Sequence, residues 1–356
     1  MYIVLAIIAF GLLISVHELG HFTAAKLLGV RVNEFAIGMG PRLLMKQGKE
    51  TLYTLRALPF GGFCAMGEDD GYTDDPRAFT SQKRWRRIVI LSSGAAANFI
   101  VAFIVVVILV SGAESFLGTR ITGFIEGFPN EGEHGLMVGD TILSINGERL
   151  YYSDDLRLFM GIAKQRGDEA VDLVIIRDGE SIGMDRFPLQ RREYLIDGEP
   201  WFGYGLTLNV IEATVAQQLK YSCYTALNYV RLVRVSLAQL FSGAVGMNDV
   251  SGLVGIVDAM NTIGKKALSV ADALISIAGF AALISVNLAV MNMLPIPALD
   301  GGRILFVFIT WAIEKTFRRR LDPKYEGYIH TAAFVLLMGF MIFVLVNDVV
   351  KIIYGK

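Results

Sequence analysis

The sequence predicts a multi-pass α-helical membrane protein with four transmembrane helices and an inserted α/β domain. Three observations carry that prediction. Apolar residues make up 53% of the 356 positions and charged residues only 19%, against roughly a quarter charged in ordinary globular domains. Four apolar runs are long enough to cross about 30 Å of hydrocarbon, which takes roughly 20 helical residues. Between them lies a stretch whose texture is that of short strands. The 33 basic and 34 acidic residues leave a formal charge of -1, which excludes the strongly basic balance of a nucleic-acid binder. Cys64 and Cys223 have neither metal-ligand spacing nor the numbers for a disulfide framework.

The first span, within 1–28, opens MYIVLAIIAFGLLISV without a charge, and its apolar character resumes past His17 and Glu18. No basic stretch precedes it and no small-residue cleavage site follows it, so it is expected to be retained rather than removed as a signal peptide. A polar region follows over 29–87, then a second span over 88–113, a third over 273–299 and a fourth over 327–350. Basic residues concentrate between spans one and two (Arg31 to Arg87) and in the loop 300–326 (Arg303, Lys315, Arg318, Arg319, Arg320, Lys324). The positive-inside rule makes both loops cytoplasmic and both termini extracytoplasmic. QKRWRRI (82–88) and FRRRLDPK (317–324) read as anchors to anionic headgroups of the bilayer. The segment 208–272 is expected to be helical and interfacial, because Lys220, Arg231 and Arg234 interrupt its apolar face.

Within 114–207, RITGFIEG and TILSINGE read as strands and VDLVIIRDGESIGMDRF as a hairpin turning at Asp178-Gly179. SDDLRLFMGIAKQ reads as a helix capped by Ser153, with two aspartates at the positive end of its dipole. The run GLMVGDTILSINGERL (135–150) resembles the core of PDZ domains, which bind a peptide end or extended segment by strand addition. The other reading is a structural β-domain that simply caps the membrane part.

The chemistry-bearing residues lie inside the spans. HELGH places His17 and His21 one turn apart on one helical face, where both imidazoles can meet one metal ion. Glu18 lies one step around the helix, placed to take a proton from water. Zinc suits neutral imidazoles and an open coordination position. Two of four histidines and a glutamate inside an apolar span would be poorly tolerated there without a ligand. Span three ends NMLPIPALDGG, where Pro295 and Pro297 cannot continue a helix. Asp300 is thus a carboxylate on unwound chain, expected to complete the ligand set, or alternatively to cap the next helix. Asn98 in span two either bridges helices or contacts substrate. His134 and His330 read as structural.

HELGH, NxxPxPxLDG and a PDZ-like insert together resemble the site-2 protease family of intramembrane zinc metalloproteases, in the bacterial anti-sigma-factor-protease type. The resemblance covers most of the chain, although the sequence has room for one PDZ domain where a tandem pair also occurs in the family. It implies Zn2+ held by His17, His21 and Asp300, with Glu18 as the catalytic base. It also makes PFGGF (59–63) part of a small membrane-associated β-hairpin beside the active site. Gly61, Gly62, Asn292 and Asn98 become candidate substrate-binding residues. The implied partners are single-span membrane proteins (anti-sigma factors or signal-peptide remnants), a peptide end in the PDZ groove and the lipid bilayer, without nucleic acid. The implied setting is a bacterial plasma membrane, with the active site toward the cytoplasm. The alternative function is a membrane-bound PDZ adaptor whose metal is structural.

Overall fold

A computed structural model describes residues 2–66, 75–196, 198–243, 252–317 and 323–354. The chain divides into two compact units, Met1–Leu109 with Tyr229–Lys356, and Val110–Asn228. Arg318, Arg319 and Arg320 of the second basic run lie outside the described residues.

In the first unit, α1 (Tyr2–Leu27) leads into two long strands, β1 (Glu34–Gln47) and β2 (Leu52–Ala65), and then α2 (Arg84–Val110). After the second unit come α5 (Leu253–Lys266), α6 (Val270–Asn292), α7 (Asp300–Phe317) and α8 (Pro323–Tyr354), while α4 (Val215–Ser242) spans the division in sequence. Tyr2–Leu27, Arg84–Val110, Val270–Asn292 and Gly327–Lys351 are each long and apolar enough to cross a membrane, with mean hydropathy 2.2 to 2.6. Their helicity follows from the solvent: in hydrocarbon every backbone polar group must be satisfied within the segment. α4 is not among these four, in keeping with the charges that interrupt it. The loop expected over 300–326 is instead largely α7. The run ILFVFITWAI satisfies its backbone most cheaply as a helix, and the flanking basic residues drew attention to topology rather than to this periodicity.

The two strands of this unit are bent, and their register builds four paired segments. Residues 34–37 lie antiparallel to 62–65 (Glu34 opposite Ala65, Ile37 opposite Gly62) and parallel to 52–55 on their other side. Residues 52–55 in turn pair antiparallel with 44–47. The lateral order is 44–47, 52–55, 34–37, 62–65, so 62–65 is an outer segment. Gly38 and Gly40 adopt φ of 83° and 84° where β1 bends, a region that glycine enters without steric penalty.

The second unit is an antiparallel sheet in the order β10 (Leu206–Glu212), β3 (Ser115–Phe124), β4 (Thr141–Ile145), β6 (Val171–Arg177), β7 (Glu180–Phe187), with β5 (Glu148–Arg149) beside β4. A separate hairpin joins β8 (Arg192–Ile196) and β9 (Glu199–Gly203). Two hairpin turns follow the chemistry of their residues: Asn146-Gly147 and Asp178-Gly179 all have positive φ, as the preferred two-residue turn requires. The sheet extends to Glu212, five residues past the boundary expected at 207, because β10 pairs with β3 along its length. Helix α3 (Ser153–Gln165) begins one residue earlier than a Ser153 cap predicts. Tyr152 is the cap, and the Asp155 carboxylate accepts the Tyr151 and Tyr152 N–H groups at 2.6 and 3.1 Å. Ile121, Leu136, Ile142, Ile145, Leu173 and Ile175 are fully buried and form the centre of this unit.

Candidate metal centre

Three side chains from two helices of the first unit meet at one point. On α1, His17 and His21 are buried with their Nε2 atoms 3.1 Å apart. The Asp300 Oδ2 atom, at the first residue of α7, lies 3.1 Å from His17 Nε2 and 3.2 Å from His21 Nε2. The sequence thus separates these groups by almost 280 positions, yet their ligand atoms form a nearly equilateral triangle.

Local structure accounts for each placement. The helical repeat stacks His17 over His21. α2 approaches α1 where both lack side chains: a Cβ on Gly20 would lie 2.8 Å from Ala97 Cβ, and one on Gly94 would lie 2.8 Å from His17 Cε1. That approach brings the Ile90 carbonyl to 2.8 Å from His21 Nδ1. The carbonyl can only accept, so Nδ1 carries the proton and Nε2 presents a lone pair. α6 ends at Asn292, Pro295 and Pro297 keep 293–299 from resuming it, and the chain re-enters a helix at Asp300. Gly302 lets the new helix turn tightly under that loop, since a Cβ there would lie 2.9 Å from Pro297 Cα.

The donor set fits zinc. Ligands about 2.0–2.1 Å from a tetrahedral zinc stand about 3.3 Å from one another, close to the edges observed. Three electron-rich atoms at such distances repel unless a cation or a proton lies among them, and His21 has committed its proton to Ile90. The imidazole–imidazole–carboxylate set leaves a fourth position for water.

The three groups lie at a cavity of about 360 Å³, lined by His17, Glu18, His21, Asn98, Asn292 and Asp300 together with Phe63, Cys64, Met66, Leu299, Arg303 and neighbouring apolar side chains. Glu18 lies beside the outer segment 62–65: the Cys64 backbone hydrogen-bonds its carboxylate, and a Cβ on Gly62 would sit 3.2 Å from Glu18 Cγ. Asn98 is fully buried, its side-chain amide without a partner among the described residues, and its backbone carbonyl accepts the Ser285 hydroxyl at 2.8 Å. Asn292 ends α6 at the cavity wall. Of the sequence candidates, Gly62 lies beside Glu18 without lining the cavity, and Gly61 stands apart from both. It is not among the lining residues, its nearest neighbour is the Met39 side chain, and its φ of 89° makes it a bend in the strand. Cys64 and Arg303 belong to the cavity without having been singled out for it. Arg303 follows Asp300 by three, one helical turn, a relation visible only once α7 is known to begin at Asp300.

The sequence profile of peptidase family M50 matches residues 5–340. The chain belongs to that family. It is 36% identical to a protein provisionally named as a zinc metalloprotease from Clostridium acetobutylicum, over 98% of this chain and 97% of the relative. A similarly named protein of Clostridium perfringens is 35% identical over 98% and 99%. The regulator of sigma-W protease RasP of Bacillus subtilis is 26% identical over 97% of each chain. The M50 protein described here is a zinc metalloprotease, and among the described residues four apolar helices and β-sheet portions befit a multi-pass membrane protein.

Proposed function

We propose that this intramembrane zinc protease hydrolyses peptide bonds within transmembrane segments of membrane proteins, using His17, His21 and Asp300 as zinc ligands and Glu18 as the proton carrier. The observation that carries the reading is the convergence of two Nε2 atoms and Asp300 Oδ2 to within 3.2 Å of one another at a cavity that Glu18 also lines. A bound zinc ion supplies Lewis acidity and lowers the pKa of water to about 7. Glu18 takes the proton from the water as its oxygen adds to the scissile carbonyl carbon. It returns that proton to the amide nitrogen as the C–N bond breaks.

A substrate helix must open before its carbonyl is accessible, because the carbonyl is engaged in an intrahelical hydrogen bond. The outer segment 62–65 supports strand addition as the means: it offers a sheet edge, includes Gly62, and runs beside Glu18. Asn98 and Asn292 line the same cavity and hold substrate backbone there. Gly61 contributes by bending the strand, not by contact. The second unit acts as a PDZ-like domain that receives a peptide end, supported by its antiparallel sheet, its single α3 helix and the GLMVGDTILSING run. The basic segments flanking α2 and α7 orient the site toward the cytoplasm, with both termini on the opposite side. The relative named as a regulator of sigma-W protease suggests anti-sigma factors as one substrate class.

The adaptor alternative, with a purely structural metal, is disfavoured by the cavity. Structural zinc sites close all four positions with protein ligands, whereas among the described residues this cluster has three. The deciding experiment uses the full chain in detergent with a single-span model substrate. Glu18→Gln is expected to keep zinc at the wild-type stoichiometry and to lose about 10²–10⁴-fold in turnover, as removal of a general base does. Wild-type turnover in that variant eliminates Glu18 as the proton carrier.

A further inference from the structure

α8 carries an imidazole near the start of an apolar segment: His330 lies three residues into Gly327–Lys351, whose mean hydropathy is 2.5. An ionisable side chain in such a segment points to a specific partner. The partner is the loop that carries Asp300. Ala298 N–H donates to His330 Nδ1 at 2.9 Å, and the imidazole packs against Phe306 of α7 with ring centroids 5.0 Å apart. His330 therefore grips both the loop and the helix that Asp300 begins.

The backbone accounting of this loop singles out that bond. Pro295 and Pro297 have no N–H to donate. Leu294 N–H goes to Met291 O at 3.1 Å, Ile296 N–H to Leu294 O at 2.7 Å, and Leu299 N–H to Ile296 O at 3.1 Å. Each of these closes a local turn; Ala298 alone is tied to a side chain from another helix. Ala298 is also where restraint is needed. Its φ is 79°, in the left-handed region that an alanine Cβ disfavours. Released, the residue relaxes toward negative φ, and two residues later the carboxylate changes direction.

We propose that His330 is a positioning residue for the metal centre: by accepting the Ala298 N–H it locks the 293–299 loop in the backbone conformation that delivers Asp300 to His17 and His21. The inference rests on the reading of those three residues as zinc ligands.

The test measures the zinc dissociation constant of the full-length protein in detergent by chelator competition, with the visible spectrum of the cobalt-loaded protein as a second readout of ligand geometry. His330→Ala is expected to weaken zinc about tenfold or more, the range seen when partners that orient metal ligands are lost, and to alter the cobalt spectrum. His330→Asn, whose amide oxygen sits near the position of Nδ1, should recover most of the affinity. Ala298→Gly removes the conformational penalty, so in that background His330→Ala should cost no more than about threefold, a coupling that a double-mutant cycle resolves. Wild-type zinc affinity and cobalt spectrum in His330→Ala overturn the proposal. So does an equal loss in His330→Asn and in the Ala298→Gly background, which marks a general packing defect. Asp300→Asn separates the two levels. If it loses zinc while His330→Ala does not, only the positioning role fails; if it binds zinc as wild type does, the ligand reading fails and the inference with it.

Discussion

Two aspartates of this protein are withdrawn from water in different ways. Asp140, in the second unit, is 1% exposed and receives its counter-charge from the chain itself. Arg177 Nε and Nη2 reach its two carboxylate oxygens at 2.8 and 2.7 Å, and Met137 N–H donates to it at 2.7 Å. The same guanidinium donates to the Glu133 and Gly135 carbonyls at 3.0 and 2.7 Å, so one side chain closes the loop ahead of β4. Asp300, in the first unit, is met by two imidazoles, one of which has already given its proton to Ile90. A carboxylate paired internally is architecture, complete in itself. One surrounded by lone pairs has the chemistry to hold a cation from outside, as proposed above for Asp300. That contrast distinguishes the two aspartates more sharply than burial does.

The largest effect expected from breaking this comparison is at Asp300. Asp300→Asn keeps the shape but removes the charge, and its zinc affinity should fall by more than about 100-fold, beyond what loss of a ligand's orienting partner costs. Chelator competition measures this, and turnover on a single-span substrate should fall in step. The matching change at Asp140 should leave zinc stoichiometry untouched. Arg177→Met, which strands Asp140 without its cation, should instead destabilise the second unit by about 3–5 kcal/mol. Urea unfolding of the full chain, followed by Trp201 fluorescence with Trp85 and Trp311 replaced by phenylalanine, reads that loss. Zinc loss in Arg177→Met would erase the distinction between the two aspartates.

A smaller effect sharpens the receptor side. Gly94→Ala adds a methyl group 2.8 Å from His17 Cε1, in a place where the helix backbone cannot yield easily. Overpacking of this kind costs about 1–3 kcal/mol, and spread over the ligand geometry it should weaken zinc by about tenfold. Gly20→Ala, on the facing helix, would meet Ala97 and test whether helix approach alone gives the same result. Unchanged affinity in Gly94→Ala would show that the imidazoles are not held by contact with α2.

What could be read from the sequence followed the range of the interactions involved. His17, Glu18 and His21 were legible because four residues of helix bring them together, whatever the rest of the chain does. Asp300 was legible by its surroundings: two prolines and two glycines in an apolar span mark backbone that must line protein or a cavity. Cys64 and Arg303 were not, because their membership of the cavity depends on the path of β2 and on α7 starting at Asp300. The doubled pairing of residues 34–37, antiparallel to 62–65 and parallel to 52–55, was also hidden, since strand periodicity specifies which faces are apolar and not which partner lies on each edge. The tie from His330 to Ala298 was hidden for the same reason, as a lone histidine carries no spacing to interpret.

The finest test of the comparison is its pH dependence. Burial opposes ionisation of Asp140, but the Arg177 guanidinium and the Met137 N–H outweigh it and hold the carboxyl below the ordinary aspartate range. A group whose folded value is depressed contributes stability that is complete above its unfolded value, about 3.9, and is lost as the pH falls through the folded value. The second unit should therefore lose stability on acidification from about pH 5 downward, with a slope to which Asp140 contributes. Asp140→Asn removes that contribution: the variant starts lower at neutral pH, and its unfolding free energy should decline less steeply between about pH 5 and pH 3. Parallel slopes for variant and wild type would mean that Arg177 stabilises the loop through the Glu133 and Gly135 carbonyls alone, and that the internal ion pair contributes nothing on its own account.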